Sequence, residues 1–326
     1  MHASVVVPMY NAEKTIEECL KSLLKQKIKK SYEIIVVDDG STDNSTERVK
    51  KIGRKTKTGM IRLIRQKNAG PSKARNAGAK TANGNIICFT DSDCEPDENW
   101  LEEMTKSFED PAVGATQGAY KTKQKELMAR FVQAEVEERY ERMKRAKKID
   151  WVGSYSAAYR KEVFEEKGFD ESFPRASGED PELSYRVSKE GKKIIFNPKA
   201  IVYHKHPTRL IDYLKKKYTH AFFRIRLYSK HKEKMVNDSY TPQTLKLQIL
   251  FSLLFIGFMT GSLFVTEAYY LGLWFGVFFI ITVIPSTVFN LKKGILVGVI
   301  TPLVLTLRTI IFITGLAHGI ISKVIE

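Results

Sequence analysis

Cysteine is scarce in this chain, and its few cysteines have no recognisable spacing. The 326 residues include three, Cys19, Cys88 and Cys94, and none of them forms a CxxC pair. Three cysteines cannot build a framework of several disulfides, and the missing CxxC spacing argues against a structural zinc site. The fold must therefore be held by an apolar core, for which a chain of this length is sufficient.

Charge is almost absent from the C-terminal part of the chain. Beyond residue 240 the seven charged residues are Lys246, Glu267, Lys292, Lys293, Arg308, Lys323 and Glu326. The rest is basic, and the whole chain has a formal net charge of +16. This excess predicts an anionic partner, such as nucleotide phosphates or anionic lipid. Nucleic acid is disfavoured, because no recognition motif is present and the apolar tail would remain unexplained.

The apolar tail predicts three membrane spans, since about 20 apolar residues cross the hydrocarbon. They are residues 247–266, 268–289 and 294–321. Lys292 and Lys293 separate the second and third spans, whereas Glu267 separates the first and second. The positive-inside rule then places residues 1–246 in the cytoplasm. The sequence thus predicts a multi-pass protein of the cell membrane with three regions, at residues 1–208, 209–240 and 241–326.

Cationic residues beside and within the spans are candidate contacts for a lipid or an acceptor. Residues 209–235 contain nine Lys and Arg against two acids and form an amphipathic helical pattern. Such a helix lies in the headgroup layer and contacts membrane lipids, with Arg224 and Arg226 facing phosphate; the alternative is a helix packed on the globular domain. Arg308 within a span costs about 2.5–3.5 kcal/mol. It either contacts a lipid phosphate, pairs inside the bundle or sits at an interface where Pro302 bends the segment.

Short β-branched runs alternate with helical patterns over residues 1–120. Buried strands are predicted at residues 4–8, 33–37, 61–64 and 85–90, with helices between them. This alternation predicts an α/β fold with a mostly parallel sheet and helices on both faces. Further helices are predicted at 124–148 and 181–189, and short strands at 193–196 and 200–203.

Two acidic clusters follow predicted strands at their carboxyl ends, where such sheets bind ligands. Asp38 and Asp39 follow one strand, and Asp91-Ser92-Asp93 follows another. Carboxylates placed together at such an edge favour a site for Mg²⁺ or Mn²⁺ with substrate phosphates. Each cluster alone could equally be an ordinary turn that caps the next helix.

Several blocks together resemble family 2 glycosyltransferases. They are VVVPMYN at 5–11, DDGSTD at 38–43, NAGPSKARN at 68–76 and DSD at 91–93, followed by later blocks at 153–164, 168–171 and 178–180. The resemblance covers residues 3–206, in order and at family spacing. It implies a single GT-A domain, a Rossmann-like variant of the doubly wound sheet. It also implies transfer of a sugar from a UDP- or GDP-linked donor, with inversion and with Mg²⁺ or Mn²⁺.

The resemblance assigns the donor side to a group of matching positions. Pro8, Tyr10 and Glu13 would line the base and ribose pocket, Asp39 would accept a hydrogen bond from the base, and Arg75 would lie near that pocket. Asp91 would lie near the ribose or the metal, and Asp93 on the metal itself. His204 matches a position that completes metal or diphosphate binding, with Glu95 as a rival third ligand and a plain surface histidine as the alternative.

The acceptor side rests on the Glu179-Asp180 pair, in which Asp180 matches the general base. The competing interpretation is a helix start, because a carboxylate before Pro181 caps a first turn well. Glu179 and Trp151 are weaker acceptor-side candidates, and for Trp151 packing in the core is the preferred alternative. The family's processive synthases have a Gln-x-x-Arg-Trp block after this pair. The corresponding region here reads Phe222-Phe223-Arg224-Ile225-Arg226, which argues against a polymer-extruding synthase.

These observations predict a membrane glycosyltransferase acting on a polyprenyl- or dolichyl-type lipid at the cytoplasmic face. A lipid-linked sugar presents a hydroxyl and needs a base, which favours it as the acceptor. A polyprenyl phosphate needs no base and is the alternative acceptor. A catalytically inactive membrane-surface binding protein is the alternative of another class.

Overall fold

The computed structural model describes residues 1–146, 148–173, 178–236 and 238–325. The chain divides into two compact units. The sheet unit contains Met1–Lys123 and Arg142–Lys205, and the helical unit contains Gln124–Glu141 and His206–Glu326. The predicted domain boundary at residue 208 assigned residues 124–141 to the catalytic domain. In the structure these residues belong to the helical unit and pack with the C-terminal helices.

The sheet unit is built on one eight-stranded, mostly parallel sheet, which confirms the predicted fold class. Its strands are β1 (Ala3–Met9), β2 (Tyr32–Asp38), β3 (Ile61–Arg65), β4 (Ile86–Thr90), β5 (Cys94–Pro96), β6 (Val113–Lys121), β7 (Ser156–Arg160) and β8 (Lys193–His204). They lie in the order β3-β2-β1-β4-β7-β6-β8-β5. The first four in this order are parallel, β7 is antiparallel to both of its neighbours, and β5 is antiparallel to β8.

Six α-helices flank the sheet in the part of this unit that the structure describes. They are α1 (Ile16–Leu24), α2 (Ser45–Gly53), α3 (Pro71–Lys80), α4 (Trp100–Lys106), α6 (Lys161–Lys167) and α7 (Glu179–Lys189). The chain leaves the carboxyl ends of β1, β2 and β4 directly into the loops that contain the predicted site residues. The sheet core is apolar at β1, where Val5, Val6 and Val7 are fully buried.

Two strands that were predicted as separate are one continuous strand in the structure. The segments predicted as separate strands at 193–196 and 200–203 form the single strand β8. Its pairing with β6 jumps from Gln117 beside Phe196 to Ala119 beside Ile201. The residues between are pushed out of register, because Pro198 has no N–H to give to a neighbouring strand.

The helical unit contains five helices in its described residues. They are α5 (Leu127–Arg145), whose last turn belongs to the sheet unit, α8 (Leu210–Lys230), α9 (Gln243–Gly261), α10 (Glu267–Leu291) and α11 (Ile295–Ile325). The last three are long and apolar enough to cross a membrane by length and composition, which fits a membrane anchor. The turn between α9 and α10 starts at residue 262, so the last residues of the first predicted span lie in that turn.

Candidate active site

The loops that follow β1 and β2 are joined by backbone-to-side-chain hydrogen bonds. The N–H of Asn11 donates to Ser41 Oγ at 3.0 Å, and Asn11 Oδ1 accepts from the N–H of Thr42 at 2.8 Å. Asn11 has a φ of 49°, a left-handed conformation that asparagine tolerates better than most residues. This bonding fixes the loop next to Pro8. Tyr10 in that loop is exposed, and its place in the base and ribose pocket remains a prediction.

Glu13 and Asp39, both predicted to face the nucleotide, also hold the surrounding loops. Glu13 Oε2 accepts from the N–H of Asn44 at 3.0 Å. Asp39 is buried, and its two oxygens accept from the N–H groups of Ala69 and Gly70 at 2.9 Å each. The Asp39 carboxylate therefore fixes the start of the Asn68–Asn76 block, while its contact with a base remains a prediction.

Arg75 lies between two carboxylates that are far apart in sequence. Its guanidinium is 3.0 Å from Asp91 Oδ1 and 3.1 Å from Glu179 Oε1, and it stands over the Phe169 ring. Burial alone would lower the pKa of Arg75, but Asp91, Asp180 and Glu179 together raise it, so the side chain stays charged. The structure thus shows Arg75 linking the Asp-x-Asp turn to the start of α7.

Asp93, Cys94 and His204 form a cluster with three potential metal ligands. One ligand atom from each lies within 4.8 Å of the others, and His204 Nδ1 is 3.6 Å from Asp93 Oδ1. The register of β5 on β8 makes this possible, because it places Cys94 directly opposite His204. The sequence analysis did not identify Cys94 as a member of this cluster. The one feature of the sequence that could have indicated it is its position directly after the Asp-x-Asp.

A divalent cation fits this cluster through its oxygen and imidazole donors. Carboxylate oxygens and an imidazole suit Mn²⁺, and carboxylates suit Mg²⁺. Burial raises the pKa of the Cys94 thiol well above its usual value, so it stays protonated and is a poor ligand for a hard cation. Burial also raises the pKa of Asp91, and neighbouring Asp93 adds to this effect while Arg75 opposes it. Glu95, the rival ligand, is paired with Lys123 at 2.8 Å.

A column of aromatic rings supports His204 on its other side. Tyr120 stacks on His204 with ring centroids 4.8 Å apart, and Tyr155 stacks on Tyr120 at 3.5 Å. Trp151 follows at 6.2 Å from Tyr155 and is itself buried. The ring column restricts the rotation of the imidazole. The burial of Trp151 fits the packing alternative, which the sequence favoured over an acceptor contact.

Asp180 lies in the first turn of α7 with its two oxygens in different surroundings. Oδ2 accepts from the N–H of Ser154 at 3.0 Å and from its hydroxyl at 3.2 Å. Oδ1 is shielded from solvent and has no hydrogen-bond partner among the described residues. Burial, together with neighbouring Glu179, raises the pKa of Asp180 to about 7. Ser154 was not singled out from the sequence.

The predicted lipid contacts of the helical unit have partners within that unit. Arg308 is buried, and its guanidinium is 2.9 Å from Glu135 Oε1 and 2.7 Å from Gln248 Oε1. Glu135 also pairs with Lys217 at 2.8 Å. Burial alone would raise the pKa of Glu135, but these two cations lower it to about 2. For Arg308 the structure favours the predicted alternative of pairing inside the bundle over a lipid contact.

The other two cations differ in exposure. Arg224 donates to Thr241 Oγ1 and lies over the Phe312 ring. Arg226 is exposed, as a contact to a headgroup requires, and its role remains a prediction.

The comparison with protein families decides the assignment. Residues 4–168 match the model described as glycosyl transferase family 2. The chain belongs to glycosyltransferase family 2. An uncharacterised glycosyltransferase of Bacillus subtilis, EpsJ, is 30% identical over 222 residues, which cover 64% of this chain and 62% of that protein. This family 2 chain therefore matches less than two thirds of the length of that relative.

Other matches differ in their extent. TarS of Staphylococcus aureus, a poly(ribitol-phosphate) beta-N-acetylglucosaminyltransferase, is 44% identical over 94 residues, which cover 28% of this chain and 16% of TarS. Among solved structures, a mannosyltransferase of Pyrobaculum calidifontis in complex with GDP-Man and Mn²⁺ has a TM-score of 0.65 at 19% identity. That match covers 99% of this chain and 88% of the other. It shows a common fold and confirms the GT-A architecture.

A metal ion at the Asp93, Cys94 and His204 cluster would make its three members differ in a testable way. We expect Asp93→Asn and His204→Ala each to weaken Mn²⁺ binding about tenfold or more, because even outer-shell partners of metal ligands contribute 10–100-fold. Cys94→Ser is the matched control and should leave the affinity unchanged, since the thiol is protonated. Titration of Mn²⁺ followed by the EPR signal of the free ion measures this. Equal affinities for Asp93→Asn and the wild type would remove the cluster as the metal site.

Proposed function

We propose that this family 2 enzyme transfers a sugar from a nucleotide-sugar, with inversion, to the hydroxyl of a lipid-linked sugar at the cytoplasmic membrane face. One observation supports the hydroxyl acceptor above all others. The Oδ1 atom of Asp180 is shielded and unpartnered among the described residues, in a carboxyl whose pKa is raised to about 7. A general base works best when its pKa lies near the working pH, so Asp180 suits this role.

The reaction follows from this placement. The acceptor hydroxyl gives its proton to Oδ1 of Asp180 while its oxygen forms a bond to the anomeric carbon. The bond between that carbon and the nucleotide diphosphate breaks, and its electron pair leaves with the diphosphate. Attack from the face opposite the leaving group inverts the anomeric centre. Ser154 holds Oδ2 during this step, so the basic oxygen keeps a fixed direction.

The cation site belongs to the donor side of the same reaction. Asp93 and His204 would hold Mg²⁺ or Mn²⁺, with Asp91 beside them. A bound divalent cation neutralises charge on a departing diphosphate. The mannosyltransferase of similar fold that was solved with Mn²⁺ supports this assignment. Arg75 keeps Asp91 in place through its 3.0 Å contact and so fixes one wall of the donor site.

The membrane part of the proposal is supported by the helical unit. Its three long apolar helices suit a bilayer anchor, and the cations of residues 209–235 suit anionic headgroups. An anchored transferase meets its lipid-linked acceptor at the membrane surface. A polyprenyl phosphate would not need Asp180, since its phosphate is already anionic.

One experiment separates these acceptors. Detergent-purified protein is incubated with labelled UDP- and GDP-sugars, a lipid extract and Mn²⁺ or Mg²⁺, and label in the organic phase is measured. A hydroxyl acceptor predicts label from one donor with wild type and little with Asp180→Asn. Label that persists in Asp180→Asn would instead indicate a lipid phosphate acceptor. No label from any donor would remove support for lipid-dependent transfer.

The raised pKa of Asp180 predicts a dependence of rate on pH. Asp180 is neutral below its pKa and becomes a base above it, so kcat/KM should rise as the pH passes through about 7 and then level off. Glu179→Gln removes one negative charge that raises the pKa of Asp180. Two other charged groups face Asp180: Asp91 also raises this pKa, and Arg75 lowers it. We expect the rise in Glu179→Gln to occur at lower pH. Transfer rates from about pH 5.5 to about pH 9 measure both profiles, and coincident profiles would contradict the assignment.

A further inference from the structure

Helix α11 is covered along one side by two charged helices. Its first half packs in one apolar cluster that includes Phe131 of α5, Tyr213 of α8, and Val297, Val304 and Leu305 of α11 itself. Its second half lies against the α8 backbone. A Cβ on Gly315 would stand 2.7 Å from the Tyr218 carbonyl oxygen, and one on Gly319 would stand 2.6 Å from that of Phe222. The covered stretch thus extends from residue 297 to residue 319.

This stretch is as long as a membrane is thick. At 1.5 Å per residue it measures about 33 Å, against about 30 Å of hydrocarbon. If α11 crossed the bilayer, its charged neighbours would be carried into the hydrocarbon with it. The cations of α8 are Lys215, Lys216, Lys217, Arg224, Arg226 and Lys230. Each costs about 2.5–3.5 kcal/mol near the bilayer centre, so a crossing α11 is disfavoured.

The path of α11 past the other two apolar helices leads to the same conclusion. Helices α9 and α10 form an antiparallel hairpin, in which Phe251 packs on Phe278 and Phe258 stacks on Phe275. Arg308 of α11 bonds to Gln248 of α9, and one turn later Phe312 lies in an apolar cluster with Leu245 near the start of α9. As α11 advances, its contacts on α9 therefore move back towards the start of α9. The second half of α11 does not follow the hairpin to its far end.

The uncovered side of α11 includes a stripe of exposed apolar residues. Val299, Leu303, Ile310 and Ile321 are 65%, 62%, 49% and 57% exposed, and their spacing puts them on one stripe. An apolar stripe on one side, with a cationic helix packed beside it, is the pattern of a helix that lies in the plane of the membrane surface. The cations of α8 are complementary to anionic headgroups.

We propose that α11 lies in the membrane surface beside α8, with its apolar stripe in the boundary between headgroups and acyl chains of an anionic bilayer. Of the three apolar helices, α9 and α10 enter the hydrocarbon as a hairpin, and α11 does not cross. The end of α11 is then on the same side as Lys292 and Lys293. This arrangement replaces the prediction of three spans, and it is independent of the transfer reaction.

Three positions on the stripe test the orientation of α11. Val299→Cys, Ile310→Cys and Ile321→Cys are 11 residues apart on the same face, or about 16 Å along the axis. Each is spin-labelled in the full chain in vesicles with anionic lipid, and its depth is measured by EPR with polar and apolar relaxation agents. We expect equal depths at all three. Depths that change by about 16 Å per step would overturn the proposal.

Two controls calibrate this measurement. Leu253→Cys and Leu263→Cys, on α9 and in the hairpin turn, should differ in depth and so prove that the method resolves a crossing helix. The unsubstituted protein is the blank, because its three cysteines are buried.

Labelling from outside the cell tests the side on which α11 ends. Val324→Cys and Lys292→Cys should react with a membrane-impermeant maleimide after lysis and not in intact cells, whereas Leu263→Cys should react in both. Reaction of Val324→Cys in intact cells, together with Leu263→Cys, would show that α11 crosses and would overturn the proposal.

Discussion

Replacing Asp180 with asparagine is expected to lower kcat by about 10²–10⁴-fold, the usual contribution of a general base. The substitution keeps the size of the side chain and leaves an oxygen that can accept from Ser154. It removes the carboxylate oxygen that would take the acceptor proton. Steady-state transfer rates at saturating donor measure the loss, and calorimetric binding of the nucleotide should remain near the wild-type value.

Asp110→Asn is the matched control for this change. Asp110 lies on the surface of the same unit and pairs with exposed Lys193, an interaction of little energetic value. Its variant should therefore turn over like the wild type. A loss below about tenfold in Asp180→Asn would mean that the base is another residue, or that the acceptor needs none.

Replacing Arg75 with methionine is expected to destabilise the protein by about 3–5 kcal/mol, because it leaves buried Glu179 and its neighbour Asp91 without their shared cation. For a unit of this size that corresponds to a loss of about 6–20 °C in Tm. Thermal unfolding in detergent, followed by near-UV circular dichroism, measures it. Lys73→Met on the same helix is the control, since Lys73 is exposed.

A second substitution distinguishes lost charge pairing from lost packing. Adding Glu179→Gln to Arg75→Met removes one unpaired buried charge and should recover part of the lost Tm. No recovery would mean that Arg75 stabilises the structure mainly by packing on Phe169. A Tm of Arg75→Met equal to that of Lys73→Met would contradict the structural role of the bridge.

The sequence was most informative where local pattern and burial coincide. The β-branched runs of β1, β2 and β4 are buried and that of β3 is half-buried, so these runs predicted the parallel half of the sheet correctly. No element was predicted at β5 or β6. The β6 sequence VGATQGAYK has two glycines and no apolar run, and β5 has three residues. Both are strands because their neighbours complete the hydrogen bonding, which no local pattern records.

The candidate site shows the same division between local motif and long-range pairing. The motif blocks predicted Asp91, Asp93 and Asp180 as site residues, and their assigned roles remain predictions. The surroundings that tune them come from distant parts of the chain. Cys94 meets His204 through the register of β5 on β8, and Asp180 is oriented by Ser154 from another loop. The sequence left the role of Arg308 undecided, because its partner Glu135 is 173 positions away along the chain.

That separation also sets an order of assembly during synthesis. Glu135 leaves the ribosome long before its partners do, since Lys217 follows 82 residues later and Arg308 follows 173 residues later. A carboxylate cannot be buried alone at an acceptable cost, so α5 must stay hydrated until both cations have been made. The helical unit is therefore completed only after translation reaches its last helix, while the strands of the parallel sheet half are already available to pair.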